Sequence, residues 1–209
     1  MRSAAFYWSV ASPSRRSLFT CARTSPTVVE DAAQNLTSRL RWLLDRLWQE
    51  WKQTEIDIQT ITDEIERISN EDERCQRLRQ IPGLGPLVST ATVAAIGNGA
   101  AFRRGRDFAA WVGVVPRQYS TGGKQRLFGM SKRGNIYLRR MLIHGARAVL
   151  FRIKYDTAGL GQWVHRLSQR APRNKVVVAI ANKLARIAWA VLSSGRDYRH
   201  QPLPQRAAA

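Results

Sequence analysis

Cysteine and histidine are scarce in this 209-residue chain. Cys21 and Cys75 are the only cysteines, and the histidines are His144, His165 and His200. Two widely spaced thiols cannot build a disulfide framework, and neither residue type shows the spacing of metal ligands. The scarcity excludes a disulfide-rich secreted module and a zinc site, and it favours a reducing cytosol.

Acidic residues are almost absent from the second part of the chain. Residues 76–209 hold 24 Lys and Arg against 3 Asp and Glu, a net charge of +21, whereas residues 1–75 hold 10 against 12, a net charge of −2. The whole chain carries a net charge of +19. Such an excess favours nucleic acid as the partner, and we expect the binding surface in the second part.

Apolar runs long enough to span a bilayer are also lacking, so we expect no membrane partner. The most apolar segment, residues 176–192, contains Asn182, Lys183 and Arg186 and predicts a core helix. Residues 1–29 are rich in Ser and Arg and contain no acid. We interpret them as a disordered leader, and an organelle transit peptide is the alternative.

Residues 30–79 are predicted to form one long coiled-coil helix. Apolar residues recur at steps of three and four from Leu36 to Leu78, with one irregularity near Trp51, and no Pro or Gly interrupts the span. The apolar stripe requires a partner, which predicts a homo-oligomer through residues 31–79. The acids between Asp63 and Glu73 could suggest a metal site, but they spread around the helix and indicate a solvated face.

Residues 80–195 are predicted to form a compact helical domain, so the fold class is all-α. The turn Ile81 to Pro86 (IPGLGP) resembles a helix-hairpin-helix motif, in which the amides of Gly83 and Gly85 would meet a DNA phosphate. An ordinary interhelical turn is the alternative. Arg103, Arg104 and Arg106 indicate a loop that contacts the nucleic-acid backbone. Residues 196–209 are predicted to be a disordered tail.

The remaining stretch, residues 115–147, carries the candidate chemistry. Pro116 and the pair Gly122 and Gly123 predict a loop, and Asn135 can cap the helix that follows. The loop holds the hydroxyls of Ser120 and Thr121, and the cations Lys124, Arg126, Lys132 and Arg133 follow. Hydroxyls beside cations, without an acid from residue 113 to 155, suit a phosphodiester. The alternative is a basic loop that only grips nucleic acid.

Five segments together resemble a known family. They are IPGLGP (81–86), WVGVVP (111–116), STGGK (120–124), SKRGN (131–135) and YLR (137–139). In this order they are similar to the C-terminal transposase domain of bacterial insertion-sequence recombinases that are guided by a bridge RNA. The resemblance extends over about residues 31–193 and is most specific from 81 to 147.

The resemblance implies DNA transposition through a serine nucleophile. In that family a RuvC-like domain with four carboxylates binds Mg²⁺, and a serine of the helical domain forms a phosphoserine link to DNA. By motif match the nucleophile is Ser120, with Thr121 second, and Ser131 is a helix-entry residue. The residues expected to bind nucleic acid are Gly83, Gly85, Arg103, Arg104, Arg117, Thr121, Gly122, Gly123, Lys124, Arg126, Lys132, Arg133, Arg139 and Arg140.

The chain departs from the family at its N-terminal end. Its leader shows neither the strand pattern nor the spaced acids of a RuvC-like domain, so we expect no cofactor or metal in this chain and a truncated or degenerate transposase, inactive alone. The expected partners are DNA and a guide RNA, and the expected location is the bacterial cytoplasm, at the nucleoid. The alternative function is a non-catalytic helical nucleic-acid-binding module.

Overall fold

The computed structural model describes residues 37–122, 124–153 and 159–198. The chain divides into two compact units, residues 1–62 and residues 63–209. The predicted leader, residues 1–29, and the start of the predicted coiled coil lie outside the described residues.

The described residues are mostly helical. In chain order the elements are α1 (Ser38–Glu71), α2 (Glu73–Arg79), α3 (Pro86–Ile96), α4 (Gly105–Val112), β1 (Pro116–Thr121), β2 (Lys124–Met130), α5 (Ile136–Arg152), α6 (Leu160–Ser168) and α7 (Arg173–Ser194). The predicted helical class is confirmed. The antiparallel pair β1–β2 is the departure from it.

The helix predicted over residues 30–79 is divided at Asp72. α1 ends at Glu71, and the Asp72 side chain accepts a hydrogen bond of 2.8 Å from the Arg74 amide at the start of α2. A carboxylate in this position satisfies an amide that has no partner inside the helix, and it therefore favours a new helix start. The predicted pairing of α1 with a second copy stays a prediction.

The core of the second unit is built around α7. Val177, Ile180, Leu184 and Val191, which the sequence places on one apolar face, are buried, and Ile187 is half-buried against them. α7 packs against α2, α4, α5 and α6. Its length and composition would also suit a membrane span, but half of its apolar segment is buried inside the protein. The packing agrees with the predicted core helix.

Capping residues set the ends of two helices, and the predicted cap at Asn135 is confirmed. The Asn135 side chain accepts a hydrogen bond of 2.9 Å from the Leu138 amide and caps α5. Gly195 ends α7 with a left-handed φ of 62°, a conformation that costs glycine little.

The first residues of the predicted disordered tail are ordered against the second unit. The Tyr198 amide donates to Gln80 Oε1 at 3.0 Å, and Gln80 Nε2 donates to Asp197 Oδ1 at 3.2 Å. The rest of the predicted tail, residues 199–209, lies outside the described residues.

Candidate nucleic-acid interface

Residues 116–130 form a β-hairpin where the sequence predicts a loop. Thr121 pairs with Lys124 across a two-residue connection in which Gly122 has a φ of +57°. The loop prediction is wrong because a hairpin exposed on both faces carries no alternation of apolar and polar residues. One available signal was the placement of Tyr119 and Thr121, which favour strands, directly before two glycines.

The register of the hairpin separates Ser120 from two of the cations predicted to surround it. Tyr119 pairs with Arg126, and Gln118 pairs with Leu127. Paired residues share a face, and successive residues alternate between faces. The serine face therefore carries Gln118, Ser120 and Leu127. The opposite cation face carries Tyr119, Lys124 and Arg126.

Ser120 is exposed near the end of the hairpin. Among the described side chains, its Oγ has one hydrogen-bond partner, Gln118 Nε2, which donates at 2.9 Å. A donated hydrogen bond orients the oxygen and would stabilise negative charge on it, but an amide N–H cannot accept the hydroxyl proton. The structure thus shows an accessible hydroxyl with a positioning group and, among the described side chains, no base hydrogen-bonded to it.

A close crossing of two backbone segments holds the base of the hairpin. A Cβ on Gly134 would lie 1.7 Å from Trp111 O, and a Cβ on Gly113 would lie 1.8 Å from Arg133 O. Both glycines have a positive φ, 91° and 83° respectively. Only residues without a side chain fit here, and the crossing fixes the SKRGN segment against the end of α4.

Arg139 stabilises this crossing by hydrogen bonds and is buried. Only 9% of the residue is exposed, and Nη1 donates to Val112 O at 3.0 Å and to Arg133 O at 3.2 Å. The guanidinium therefore satisfies carbonyls from both segments. Its predicted contact with nucleic acid is corrected to a structural role, whereas the neighbouring Arg140 is exposed.

Gly83 also has a packing role. A Cβ on Gly83 would lie 2.7 Å from Gly145 O, and a Cβ on Gly145 would lie 2.2 Å from Gly83 O. The two glycines let the turn before α3 contact α5 directly, as in the alternative of an ordinary interhelical turn. Gly85 is exposed at the start of α3. The helix-hairpin-helix assignment stays a prediction.

Most of the other predicted binding residues are exposed, as contact with nucleic acid requires. They are Arg103, Arg104, Arg117, Gly122, Lys124, Arg126, Lys132, Arg133 and Arg140. Arg117 and Arg133 line one cavity of about 570 Å³ at the hairpin base, together with Ser131, whose buried Oγ has no hydrogen-bond partner among the described residues. Gly123 and the side chain of Thr121 lie outside the described part.

A larger basic groove, of about 1400 Å³, lies between the end of β2, the start of α4 and one face of α7. Five cations line it: Arg104, Arg106, Lys175, Lys183 and Arg186. No Asp or Glu is among the described residues of its lining. Sequence reasoning found Arg104 and Arg106 and missed the three from α7, although positions 175, 183 and 186 recur on one helical face.

Lys183 is the most enclosed cation of the basic groove. Its Nζ lies 4.2 Å from the centre of the Trp163 ring, a cation–π contact. Burial lowers the pKa of Lys183, and the charges of Arg186 and Arg166 lower it further. The groove therefore concentrates positive charge that no carboxylate of its described lining offsets, which is the electrostatic condition for binding an anion.

Residues 75–162 match the family model described as "Transposase IS116/IS110/IS902 family". We call residues 75–162, which are similar to that family, the transposase-family region.

Three relatives extend the similarity beyond the transposase-family region. "Probable family 20 transposase" of Pseudomonas aeruginosa is 45% identical over 173 residues, which are 83% of this chain and 51% of the relative. "Transposase for insertion sequence element IS1111A" of Coxiella burnetii is 39% identical over 174 residues, 83% of this chain and 48% of the relative. "Transposase for insertion sequence element IS1328" of Yersinia enterocolitica is 43% identical over 153 residues, which are 73% of this chain and 46% of the relative. The chain spans about half the length of these curated relatives.

The transposase-family region contains the hairpin and both crossing segments, but the basic groove extends past it, since α7 begins at Arg173. Within residues 37–122, 124–153 and 159–198, no group of three His, Cys, Asp or Glu side chains could hold a metal ion. The described residues therefore do not fit the Mg²⁺ site that the family resemblance implies.

Proposed function

We propose that this chain takes part in DNA transposition, with its cationic second unit binding DNA and Ser120 attacking a phosphodiester. The observation that carries the proposal is the exposed hydroxyl of Ser120, held by Gln118 on a hairpin inside the transposase-family region. A hydroxyl in that position can approach a DNA strand, which a buried serine cannot.

The proposed reaction exchanges one ester for another. Ser120 Oγ forms a bond to phosphorus, one bond between phosphorus and a deoxyribose oxygen breaks, and that oxygen leaves with a proton. The hydroxyl proton of Ser120 passes to a base. A serine hydroxyl is a weak nucleophile without such activation. Since Gln118 cannot take the proton, we propose that the base would be a carboxylate of a RuvC-like domain, which the described residues do not contain. The carboxylates of that domain would also hold Mg²⁺.

A non-catalytic nucleic-acid-binding module is the second candidate function. It is favoured by one observation: Lys124 and Arg126, the first two cations after Ser120 in the sequence, lie on the opposite face of the hairpin. A phosphate held by that face would be turned away from the hydroxyl. The two candidates make different predictions for the Ser120→Ala variant.

Formation of a covalent adduct tests the choice between them. The chain is mixed with labelled DNA, Mg²⁺ and a RuvC-like domain of a full-length relative, and the products are separated under denaturing conditions. We expect a protein–DNA adduct with the wild-type chain and with the control Ser193→Ala, whose serine is exposed at the end of α7. We expect none with Ser120→Ala.

The affinity for DNA separates catalysis from binding in the same experiment. Ser120→Ala should change it by less than about threefold, because a neutral hydroxyl contributes little beside contacts between phosphates and cations. A wild-type chain that binds DNA and never forms an adduct would instead support the binding module. An adduct lost in Thr121→Val and kept in Ser120→Ala would assign the nucleophile to Thr121.

We also propose the partners and the cellular location that follow from this function. The partners are DNA and a guide RNA, and a second copy of the chain would pair along α1, where Leu40, Leu43, Leu47, Ile58 and Ile61 are exposed. The location is the cytoplasm, at the bacterial nucleoid, since the substrate is chromosomal DNA.

A further inference from the structure

The basic groove combines cationic and apolar lining residues, a combination that fits an unpaired strand better than double-stranded DNA. Besides its five cations, its lining includes the apolar residues Val178, Ala179 and Ile187. A duplex presents phosphates and polar groove edges to a protein and keeps its base faces stacked inside. An unpaired strand presents phosphates on one side and apolar base faces on the other.

An accessible aromatic ring lies on the hairpin side of the basic groove. Phe128 is 53% exposed and lines the groove. The other two rings are engaged, since Trp163 carries Lys183 over its face and Trp189 Nε1 donates to Gly99 O at 3.1 Å. Phe128 is therefore the ring that is free to stack on a base.

The basic groove is continuous with the serine face of the hairpin. Leu127 lines the groove, and it pairs with Gln118, whose side chain holds Ser120. Ser120 lies two residues beyond Gln118, roughly 7 Å along the strand.

We propose that the basic groove binds a single-stranded segment of nucleic acid, with a base stacked on Phe128 and phosphates held by the groove cations, so that the strand continues onto the serine face. The proposal rests on the proposed function, because it names the form of substrate that reaches Ser120. It also gives the cations of α7 a role that the hairpin alone does not.

Binding of short oligonucleotides to the full chain tests the proposal. The probes are a 12-nucleotide oligodeoxythymidine, the matching oligouridine and a 12-base-pair DNA duplex. We expect Phe128→Ala and Arg186→Ala each to weaken binding of a single-stranded probe by about fivefold to tenfold and to change duplex binding by less than about twofold. The two single-stranded probes identify whether DNA or RNA is preferred.

Two control variants test whether removing an aromatic ring or a positive charge outside the groove has the same effect. Phe151 is exposed on α5 and Arg147 is exposed on the same helix, and neither lines the basic groove. Phe151→Ala and Arg147→Ala should bind all probes as the wild-type chain does. Oligonucleotides that carry 5-iodouracil should, on irradiation of the wild-type chain, crosslink at Phe128 or Trp163, a result that needs no variant to fold.

The outcomes separate this proposal from the proposed function. If the chain binds DNA but the groove variants behave as their controls and the crosslinks map elsewhere, the groove proposal is overturned and DNA binding stands. Equal losses on single-stranded and duplex probes would also overturn it, since the groove would then serve duplex DNA. A wild-type chain that binds no probe at low salt would overturn both.

Discussion

Arg139 and Arg140 are adjacent in sequence and have opposite environments. Arg139 is buried and donates to two carbonyls, whereas Arg140 is exposed. Helical geometry explains the difference, since successive residues point about 100° apart. Sequence reasoning placed both on one basic track because a charged residue is seldom buried, and only the crossing segments around residues 112 and 133 give Arg139 its partners.

Replacing Arg139 should destabilise the fold, whereas replacing Arg140 should not. In Arg139→Ala two carbonyls lose a charged donor, and we expect the free energy of unfolding to fall by about 2–3 kcal/mol. In Arg140→Ala it should change by no more than about 0.5 kcal/mol. Urea unfolding followed by circular dichroism measures both. Equal stability of the two variants would contradict the structural role of Arg139.

Gly134 and Gly122 offer a second matched pair, since both have a positive φ. A Cβ on Gly134 would overlap Trp111 O, whereas a Cβ on Gly122 would meet nothing within 4 Å. We expect Gly122→Ala to cost about 1–2 kcal/mol, the cost of the left-handed conformation alone. Gly134→Ala should cost more than about 3 kcal/mol or prevent folding. Thermal unfolding of the two variants measures the difference, and similar melting temperatures would refute the close crossing.

The hairpin is an element that the sequence pattern did not predict. Its strands have no buried face, so burial imposes no alternation on residues 116–130, and the exposed Tyr119, Leu127 and Phe128 follow no period of two. Phe128 and Gly129 lie opposite the single residue Arg117, which is the register shift in the ladder. Such a bulge turns side chains to new directions. It accounts for Phe128 lining the basic groove although it alternates with Leu127.

Helix α1 carries an apolar stripe that periodicity could identify. Leu40, Leu43, Leu47, Trp51, Ile58, Ile61 and Ile68 of the stripe are exposed. Burying them against a second copy would remove apolar surface from water. We expect Leu47→Glu to raise the dissociation constant of self-association by at least about tenfold. Sedimentation velocity over a range of concentrations measures it.

Gln49→Glu is the control for added charge on α1, because Gln49 is exposed and lies outside the apolar stripe. It should leave self-association unchanged. A wild-type chain that sediments as a monomer at every concentration would refute the pairing.

The distribution of charge over the whole chain predicts steep dependence of DNA affinity on salt. Neutralised phosphates release counterions, so the logarithm of the affinity falls linearly with the logarithm of salt concentration. With the exposed cations that the sequence predicts to bind nucleic acid as contacts, we expect a slope of about −4 to −7 on duplex DNA. Fluorescence anisotropy at several salt concentrations gives the slope.

A double variant tests how much the hairpin cations contribute to that slope, and a second variant is its control. Removing Lys124 and Arg126 together should reduce its magnitude by about 2. Arg67→Gln should leave it unchanged, because Arg67 is already paired with Glu64 and Glu71. An affinity independent of salt would contradict binding through phosphates.

Periodicity, composition and local capping chemistry were enough to predict the helical class, the core face of α7, the cap at Asn135 and the cationic second part, because each depends on residues within a few turns of one another. The hairpin faces, the burial of Arg139, the packing of Gly83 on Gly145 and the basic groove could not be predicted in this way. They depend on which segments meet in space, and residues 104, 128 and 183 acquire a common role only when packing of the core brings α4, β2 and α7 together.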